Sequence, residues 1–555
     1  MLRTPADLPS AVHEIYRWYR SGERVVAVVS AIGDTTNALL AHANSLSPQA
    51  DSWATAELLA TGERTSAALL AVALARAGVA SRIVDPREVG FVAGGNASAN
   101  ALDAEPLAID TERLRGLIND FPVIVVPGFF AVGACGRTRL LGRGGSDLTA
   151  VFLACSLNAN RCRLIKDVDG VYDVDPAAKS ASAQAHRFRV LRYADALNVA
   201  ARLIQPKAIT YLEQRGAQTE IAAPARAHVS IVHGGPSETA ETVSAPTLNV
   251  LLLGLGTVGF GIYERLLASP ESFRVVGALI RQREKYEALG VSRAILYTDA
   301  SYVRVAKPDL VIDALPGVEP SGELIEHFLS EGIPVISANK AAIAQHGVEL
   351  AAIAARTGAT LRYSAAVGGS APMIEAVRRM VERGGVEGIA AVLNGTCNYV
   401  LDRCAAGLPF AEAIAAAQHE GFAEQDPSED LSGRDSTRKL WLLARCAFGE
   451  EPKQMYCQVL DEAVCESARS ATQQGLRIRQ VARVSRQGTR IVGVVQFEEF
   501  GVDSVFGRLE REWNALEVTG ACGTVACVTG RGAGRWPTTE AVIGDLWDVW
   551  RETSR

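Results

Sequence analysis

Short runs of consecutive apolar residues alternate along this chain with longer stretches in which apolar residues recur at helical spacing. The runs include VVAVVSA at 25–31, PVIVVPG at 122–128, NVLLLGLG at 249–256, LVIDALP at 310–316 and PVISANK at 334–340. ERTSAALLAVALARAG at 63–78 is one of the helix-length stretches. Strands apolar on both faces and separated by helices predict α/β architecture, with parallel sheets covered on either side. Between about 371 and 525 long helical stretches give way to alternating strands such as RIVGVVQFEEF at 490–500, which predicts an α+β domain set into the second half. One break is polar. HVSIVHGGPSETAETVSAP, 228–246, opens with a few apolar residues and then turns polar around Gly-Gly-Pro. A fresh strand–glycine–helix unit follows it, so the break reads as the end of one domain and a linker.

Composition narrows the class. The 555 residues exceed what one core holds, and two to four domains are expected. Hydrophobic residues at 48% and charged residues at 21% are the balance of a globular protein. A formal charge of −6 argues against a nucleic-acid partner. No run approaches about 18 consecutive apolar residues, so no membrane span is expected. MLRTPADLPSAV at the N-terminus lacks the apolar stretch of a secretory signal. The ten cysteines contain no CxxC pair, which predicts buried, reduced thiols in a cytoplasmic protein rather than disulfides or a zinc site.

Candidate chemistry begins at Leu251-Leu252-Leu253, followed by Gly254-Leu255-Gly256-Thr257-Val258-Gly259 and a helical FGIYERLLAS. In that context GxGxxG predicts a dinucleotide site: a tight turn at Gly254, close approach to the pyrophosphate at Gly256, and helix-on-strand packing at Gly259. The helix N-terminus offers its N–H groups to the phosphates. The next strand, FRVVGALI at 273–280, ends in Ile280-Arg281-Gln282-Arg283 where an NAD site would carry an acid. Arg281 suits the 2′-phosphate of NADP, so NADP is expected over NAD.

Four clusters follow: Ser337-Ala338-Asn339-Lys340 at a strand end, the small-residue turn Tyr363–Pro372, the polar loop Asn394-Gly-Thr-Cys-Asn-Tyr399, and the charged stretch Gly421–Lys439. Together with GRGAGRWPTTEAV at 530–542, which contains Gly534, they resemble the homoserine dehydrogenase family in family order over about 249–545. The resemblance implies interconversion of aspartate semialdehyde and homoserine. It assigns Lys340 and Lys439 to charge stabilisation and proton donation, with Asp435 holding the substrate and Lys439. Glu424, Asp430, Asp435 and Lys340 are the implied substrate contacts. Gly254, Gly256, Thr257, Val258, Gly259, Arg281, Asn339, Lys340 and Gly534 are the implied cofactor contacts. Read alone, Asp435 and Lys439 at i,i+4 are also the pattern of a surface helix salt bridge. The family also holds a monovalent cation on backbone carbonyls that map to Val367 and Gly369. Its acid there is replaced by Ser364, and a hard cation wants charged oxygen, so the substitution argues against that site.

Residues 1–228 resemble the amino-acid kinase fold of aspartokinases. Val28–Thr35 (with Ser30), Gly62-Glu63, Val126–Phe129, Arg143-Gly144-Gly145-Ser146-Asp147 and Lys166–Tyr172 (with Asp167, Asp169, Gly170 and Tyr172) carry the likeness. A glycine-rich loop suits phosphate and carboxylate groups. The resemblance implies aspartate and ATP with Mg as ligands of that half. The family's opening Lys-Phe-Gly-Gly is not found after Met1-Leu-Arg, so a chain starting at Met1 is expected to be a poor aspartokinase. No threonine-binding regulatory domain fits between the halves or after 542, so insensitivity to threonine is expected. The domain reading is a kinase-like 1–228, a linker 229–246, a Rossmann domain at 247–369 plus 530–555, and a substrate and dimerisation domain at 370–529. The expected protein is a cytoplasmic homo-oligomer, dimer or tetramer, acting on small molecules. Two alternatives remain at this point. One is a phosphorylating semialdehyde dehydrogenase with Cys397 as thioester nucleophile; the other makes the kinase-like half a non-catalytic assembly module.

Overall fold

The apolar runs become strands. The computed structural model describes residues 2–47, 51–94, 101–174, 185–200, 203–226, 228–240 and 246–553. The chain divides into two units: Met1–Tyr19, Glu23–Ala75 and Ala80–Ser244 in one, and Arg20–Gly22, Arg76–Val79 and Ala245–Arg555 in the other.

In the first unit Val123–Pro127 lies between the parallel strands Val25–Val29 and Ser81–Ile83 and is buried along its whole length. Both faces are covered, which is why this run is apolar without alternation. A five-stranded sheet runs in the order Glu238–Ala240, Arg187–Arg192, Val229–His233, Thr219–Ala222, Arg163–Ile165, and a four-stranded sheet runs through Phe130–Val132. Val229–His233 and Glu238–Ala240 fall inside the stretch read as linker; 241–245 of that stretch lie outside the described residues. The reason is local. Ser230 and Val232 are buried while Val229, Ile231 and His233 are half-buried, so the period is two. The buried Ser230 hydroxyl bonds Phe188 O and Val171 N, which hides a strand behind a polar composition.

The helix Ser52–Arg76 is long and apolar enough to cross a membrane. Ten of its residues are buried in this unit, and one of them is the carboxylate Glu63.

The second unit opens with six parallel strands in the order Leu296–Tyr297, Phe273–Leu279, Leu248–Leu253, Leu310–Asp313, Val335–Ser337, Leu361–Arg362. In chain order this is 3-2-1-4-5-6, the doubly wound dinucleotide-binding arrangement, whose ligand crevice lies where the order reverses, beyond the ends of Leu248–Leu253 and Leu310–Asp313. The last helix, Arg535–Thr553, returns to this sheet, with Trp547 edge-on to Phe273 at 4.8 Å.

Between them, Val386–Val392 is central in a mixed sheet with Trp513–Gly520, Val525–Arg531, the long hairpin Leu476–Gln487 and Arg490–Gly501, and Gln454–Cys457. One continuous apolar core runs through Leu251, Phe328, Ile374, Leu443, Val484 and Leu516. It joins the two sheets of this unit and holds the crevice rim against the helix Arg434–Phe448.

Candidate active site

The glycine turn has the shape its sequence predicts. Gly254 has φ +96°, and a Cβ on it would meet Ala314 O at 2.9 Å. A Cβ on Gly259 would strike Gly254 O, while Gly256 faces open space. No side chain caps the helix Thr257–Leu267, so its first N–H groups, at Thr257 and Val258, remain for a ligand's phosphates. These residues fit a dinucleotide pyrophosphate. Arg281 is exposed past the second strand, whereas Arg283 folds back to Leu296 O. Gly534, φ +112°, precedes the last helix.

Lys340 is the first residue of the helix Lys340–Thr357. Asn339 caps that helix, its Oδ1 accepting from Ala341 and Ala342 N–H at 3.1 Å each, and its Nδ2 donates to Gly317 O at 2.6 Å. Ninety-five positions along the chain, Asp435 stands in the first turn of Arg434–Phe448, where a carboxylate also suits the helix dipole. That helix follows Gly433 (φ +74°), at which a Cβ would press on Cys457 Sγ at 2.5 Å.

Asp435 joins the two lysines. Oδ1 accepts from Lys340 Nζ, and Oδ2 pairs with Lys439 Nζ at 2.7 Å. Burial opposes ionisation of this carboxyl, yet the charges of Lys439 and Lys340 hold it well below the usual carboxylate range. The i,i+4 pair is therefore no surface salt bridge: the side chains of Asp435 and Lys439 are 6% and 12% exposed. Lys439 also donates to Leu393 O at 2.6 Å, and that carbonyl takes a second bond from Asn514 Nδ2 at 3.3 Å. With two of three N–H groups so used, one remains for a substrate oxygen.

Asn394, a residue the sequence reading placed in a loop without a role, completes the cluster. Its Nδ2 donates to Asp430 Oδ1 at 2.6 Å and Asp435 Oδ2 at 3.1 Å, while its Oδ1 caps the helix Gly395–Ala405 at Cys397 N. The single Thr396 hydroxyl proton lies between Phe422 O at 2.7 Å and Asp430 Oδ2 at 3.1 Å. A strand-end Asn before a helix is a readable cap signal; the spare amide hydrogens that fix two carboxylates are not. Asp430, Asp435, Lys340 and Lys439 thus converge. Glu424 does not: it is exposed, and among the described residues its carboxylate makes no hydrogen bond or ion pair, only its carbonyl accepting from Gln418.

Cys397 does not have a nucleophile's surroundings. Its thiol is fully buried, burial with the nearby Asp430 and Asp435 charges pushes its pKa far up, and Sγ donates to Asp430 O at 3.4 Å. A reactive thiol needs the opposite surroundings. At the turn Tyr363–Pro372, Ser364 N donates to Asp545 at 3.1 Å, and the single Ser364 hydroxyl proton lies between Asp545, at 2.9 Å, and Glu375. Val367 is buried and Gly369 has φ +56°. Among the described residues no cluster of three or more His, Cys, Asp or Glu is placed to hold a metal.

In the first unit, a Cβ on Gly128 would touch both Val28 and Ser146 at 2.9 Å, so the strand ends meet the N-terminus of the helix Gly145–Leu157. Gly144 caps that helix at φ +73°, with Arg143 exposed beside it. Asp147 binds Lys166 Nζ at 2.9 and 3.0 Å, and Asp169 accepts from Tyr172 OH at 2.7 Å. Ser30 and Asp167 are exposed and Gly170 is buried. Glu63 is 3% exposed; Oε1 accepts from Ala31 N at 3.1 Å, and Oε2 has no partner among the described residues. Burial raises its carboxyl to about 7.

A 3-2-1-4-5-6 parallel sheet with an uncapped glycine turn, and a buried carboxylate paired with two lysines on the same unit, define a nicotinamide-dinucleotide-dependent dehydrogenase. Comparison with known proteins narrows this. Residues 372–547 match the family model described as homoserine dehydrogenase, 254–364 that of the homoserine dehydrogenase NAD binding domain, and 1–223 that of the amino acid kinase family. A homoserine dehydrogenase of Synechocystis sp. is 30% identical over 325 residues, covering 55% of this chain and 73% of that protein. The solved homoserine dehydrogenase of Thiobacillus denitrificans superposes with a TM-score of 0.51 at 32% identity, over 56% of this chain and 74% of that one. The chain belongs to the homoserine dehydrogenase family, with an amino acid kinase family domain at its N-terminal side. An aspartokinase of Thermus thermophilus is 33% identical over 205 residues, 36% of this chain and about half (49%) of that protein.

Proposed function

We propose that Lys340, Asp435 and Lys439 form the reacting centre for the interconversion of aspartate semialdehyde and homoserine. The observation that carries this is the single buried carboxylate of Asp435 shared by two lysines on separate helices. NADPH, when bound, supplies the hydride. Lys439, held by Asp435 and Leu393 O, offers its remaining N–H to the substrate oxygen and delivers that proton as the carbonyl becomes a hydroxyl. Lys340 adds positive charge where the oxygen's charge develops. Asp430, fixed by Asn394 and Thr396, suits the substrate's ammonium group, and Glu424 is a further carboxylate for it only if substrate draws it in. The direct test is turnover of aspartate semialdehyde with NADPH, and its loss in the lysine variants argued below.

The cofactor is NADP in preference to NAD, because Arg281 stands exposed where an acid would select the ribose hydroxyl. Arg281→Glu is expected to raise KM for NADPH several-fold more than KM for NADH. A native preference for NADH that the substitution leaves untouched would refute this. Steady-state kinetics with both cofactors decide it.

The kinase-like half is read as a site for aspartate and ATP with Mg, built from Ser30, Glu63, Arg143–Asp147 and Asp167–Tyr172. The free Glu63 oxygen is suited to an ammonium group. Because burial raises the folded pKa above the unfolded value of about 4.3, the folded state holds more protons between those values, and stability falls as pH rises from about 4.5 through 7. Glu63→Gln, which keeps the bond from Ala31, is expected to stabilise the helix Ser52–Arg76 at pH 8 by about 2–3 kcal/mol, with no gain at pH 4. Hydrogen exchange across this range reads it; a pH-independent difference would count against it. The reading also includes a homo-oligomer, dimer or tetramer, in the cytoplasm, which sedimentation and fractionation test.

A further inference from the structure

We propose that Asp313 is a positioning residue for Lys340, an inference that rests on the reading of Lys340 given above. Asp313 ends the strand Leu310–Asp313 at the rim of the crevice and is fully buried. Its carboxylate gathers three neutral donors, from a turn, a helix start and a strand end. Oδ1 accepts from Leu315 N at 3.1 Å, and Oδ2 from Ser321 Oγ at 2.7 Å and Ser337 Oγ at 2.8 Å. Leu315 lies on the turn against which Gly254 packs, Ser321 opens the helix Ser321–Ser330, and Ser337 ends the strand that leads to Lys340.

The direction of the bonds matters. Ser337 has one hydroxyl proton, given to Asp313, so its lone pairs face Asn339 N, which donates to it at 3.0 Å. Asp313 O accepts from Ala338 N at 2.8 Å. Asn339 in turn caps the helix on which Lys340 is the first residue. A carboxylate is acceptor-only, and every partner here donates; an amide would turn two hydrogens against one of them. Burial pushes this carboxyl up, opposed by the two hydroxyls and the N–H, with no ion pair among the described residues. One buried carboxyl bonded by three donors locks the turn, the helix start and the strand end in one register. It does so three residues from a lysine whose ammonium has to meet Asp435 and a substrate at once.

The test is a double-mutant cycle. Asp313→Asn is made in the native and Lys340→Ala backgrounds, with kcat measured at saturating NADPH and aspartate semialdehyde and NADPH affinity measured by fluorescence. The expected result is a kcat loss of about 10–100-fold in the native background, less than about threefold in Lys340→Ala, and NADPH affinity within about threefold. Ser337→Ala, which removes only the hydroxyl between Asp313 and Asn339, is expected to show a smaller loss with the same non-additivity, and it carries the cycle if Asp313→Asn does not fold. Equal losses in both backgrounds, or NADPH affinity falling in step with kcat, would overturn the proposal while leaving Lys340 in its role. Near-native turnover in Lys340→Ala itself would overturn both.

Discussion

Lys439→Ala is expected to lower turnover of aspartate semialdehyde by about 10²–10⁴-fold, the usual cost of removing a positioned proton-transfer group. The magnitude follows from how completely this ammonium is placed. Leu393 O and Asp435 Oδ2 take two of its hydrogens, and the Leu393 carbonyl is itself fixed by Asn514, which is buried. Lys439→Arg discriminates between roles. A guanidinium keeps the positive charge but does not give up a proton near neutral pH, so no rescue is expected. Lys340→Ala is expected to cost turnover as well, with the fold and NADPH binding intact. Near-native kcat in Lys439→Ala would return that residue to a packing role, and rescue by arginine would leave it charge stabilisation alone.

The dinucleotide half of the site was legible because its signal is local: an apolar strand, a glycine turn and a helix lie within about twenty residues, and Gly254 and Gly259 have steric reasons in the fold while Gly256 leaves open space for a ligand. The reacting centre is different. Lys340 and Asp435 meet across 95 positions, and no periodicity links them; the family likeness of the motifs joined them, and the packed core of the second unit explains why they meet. What pattern could not give was side-chain direction. Glu424 and Asp430 sit in one charged stretch, yet only Asp430 is drawn in, by the amide of Asn394 and the hydroxyl of Thr396. Cys397 looked reactive beside a helix start, but that start is capped by Asn394 and the thiol is sealed. The strand Val229–His233 was hidden by its serine and histidine, because a buried hydroxyl with two partners reads as loop chemistry until the partners are known. Asp313 likewise gave no signal: an acid closing an apolar strand is ordinary until three donors are found around it.

Asp435→Asn is expected to remove both activity and stability, with a pH signature that separates them. In the native chain Oδ1 serves Lys340 and Oδ2 serves Lys439 and Asn394. An asparagine has one acceptor oxygen, so its amide hydrogens must face a lysine or the Asn394 amide, and two ammonium groups lose their shared counter-charge. Turnover should fall by about 10²-fold or more, since both lysines shift from the substrate. Breaking a buried ion pair costs about 3–5 kcal/mol. The lower end is expected, because the Lys340 side chain is 36% exposed and its share is screened. The sign follows from the carboxyl's depressed folded value: its contribution is present above the unfolded value of about 4 and is lost as pH falls toward the folded one. The stability gap between native chain and variant should therefore be constant from pH 8 to about 5 and shrink below 4. Denaturant unfolding of the second unit at pH 7, 5 and 3 measures it. A gap that persists undiminished at pH 3 would mean that lost packing, not the ionised carboxylate, accounts for the difference.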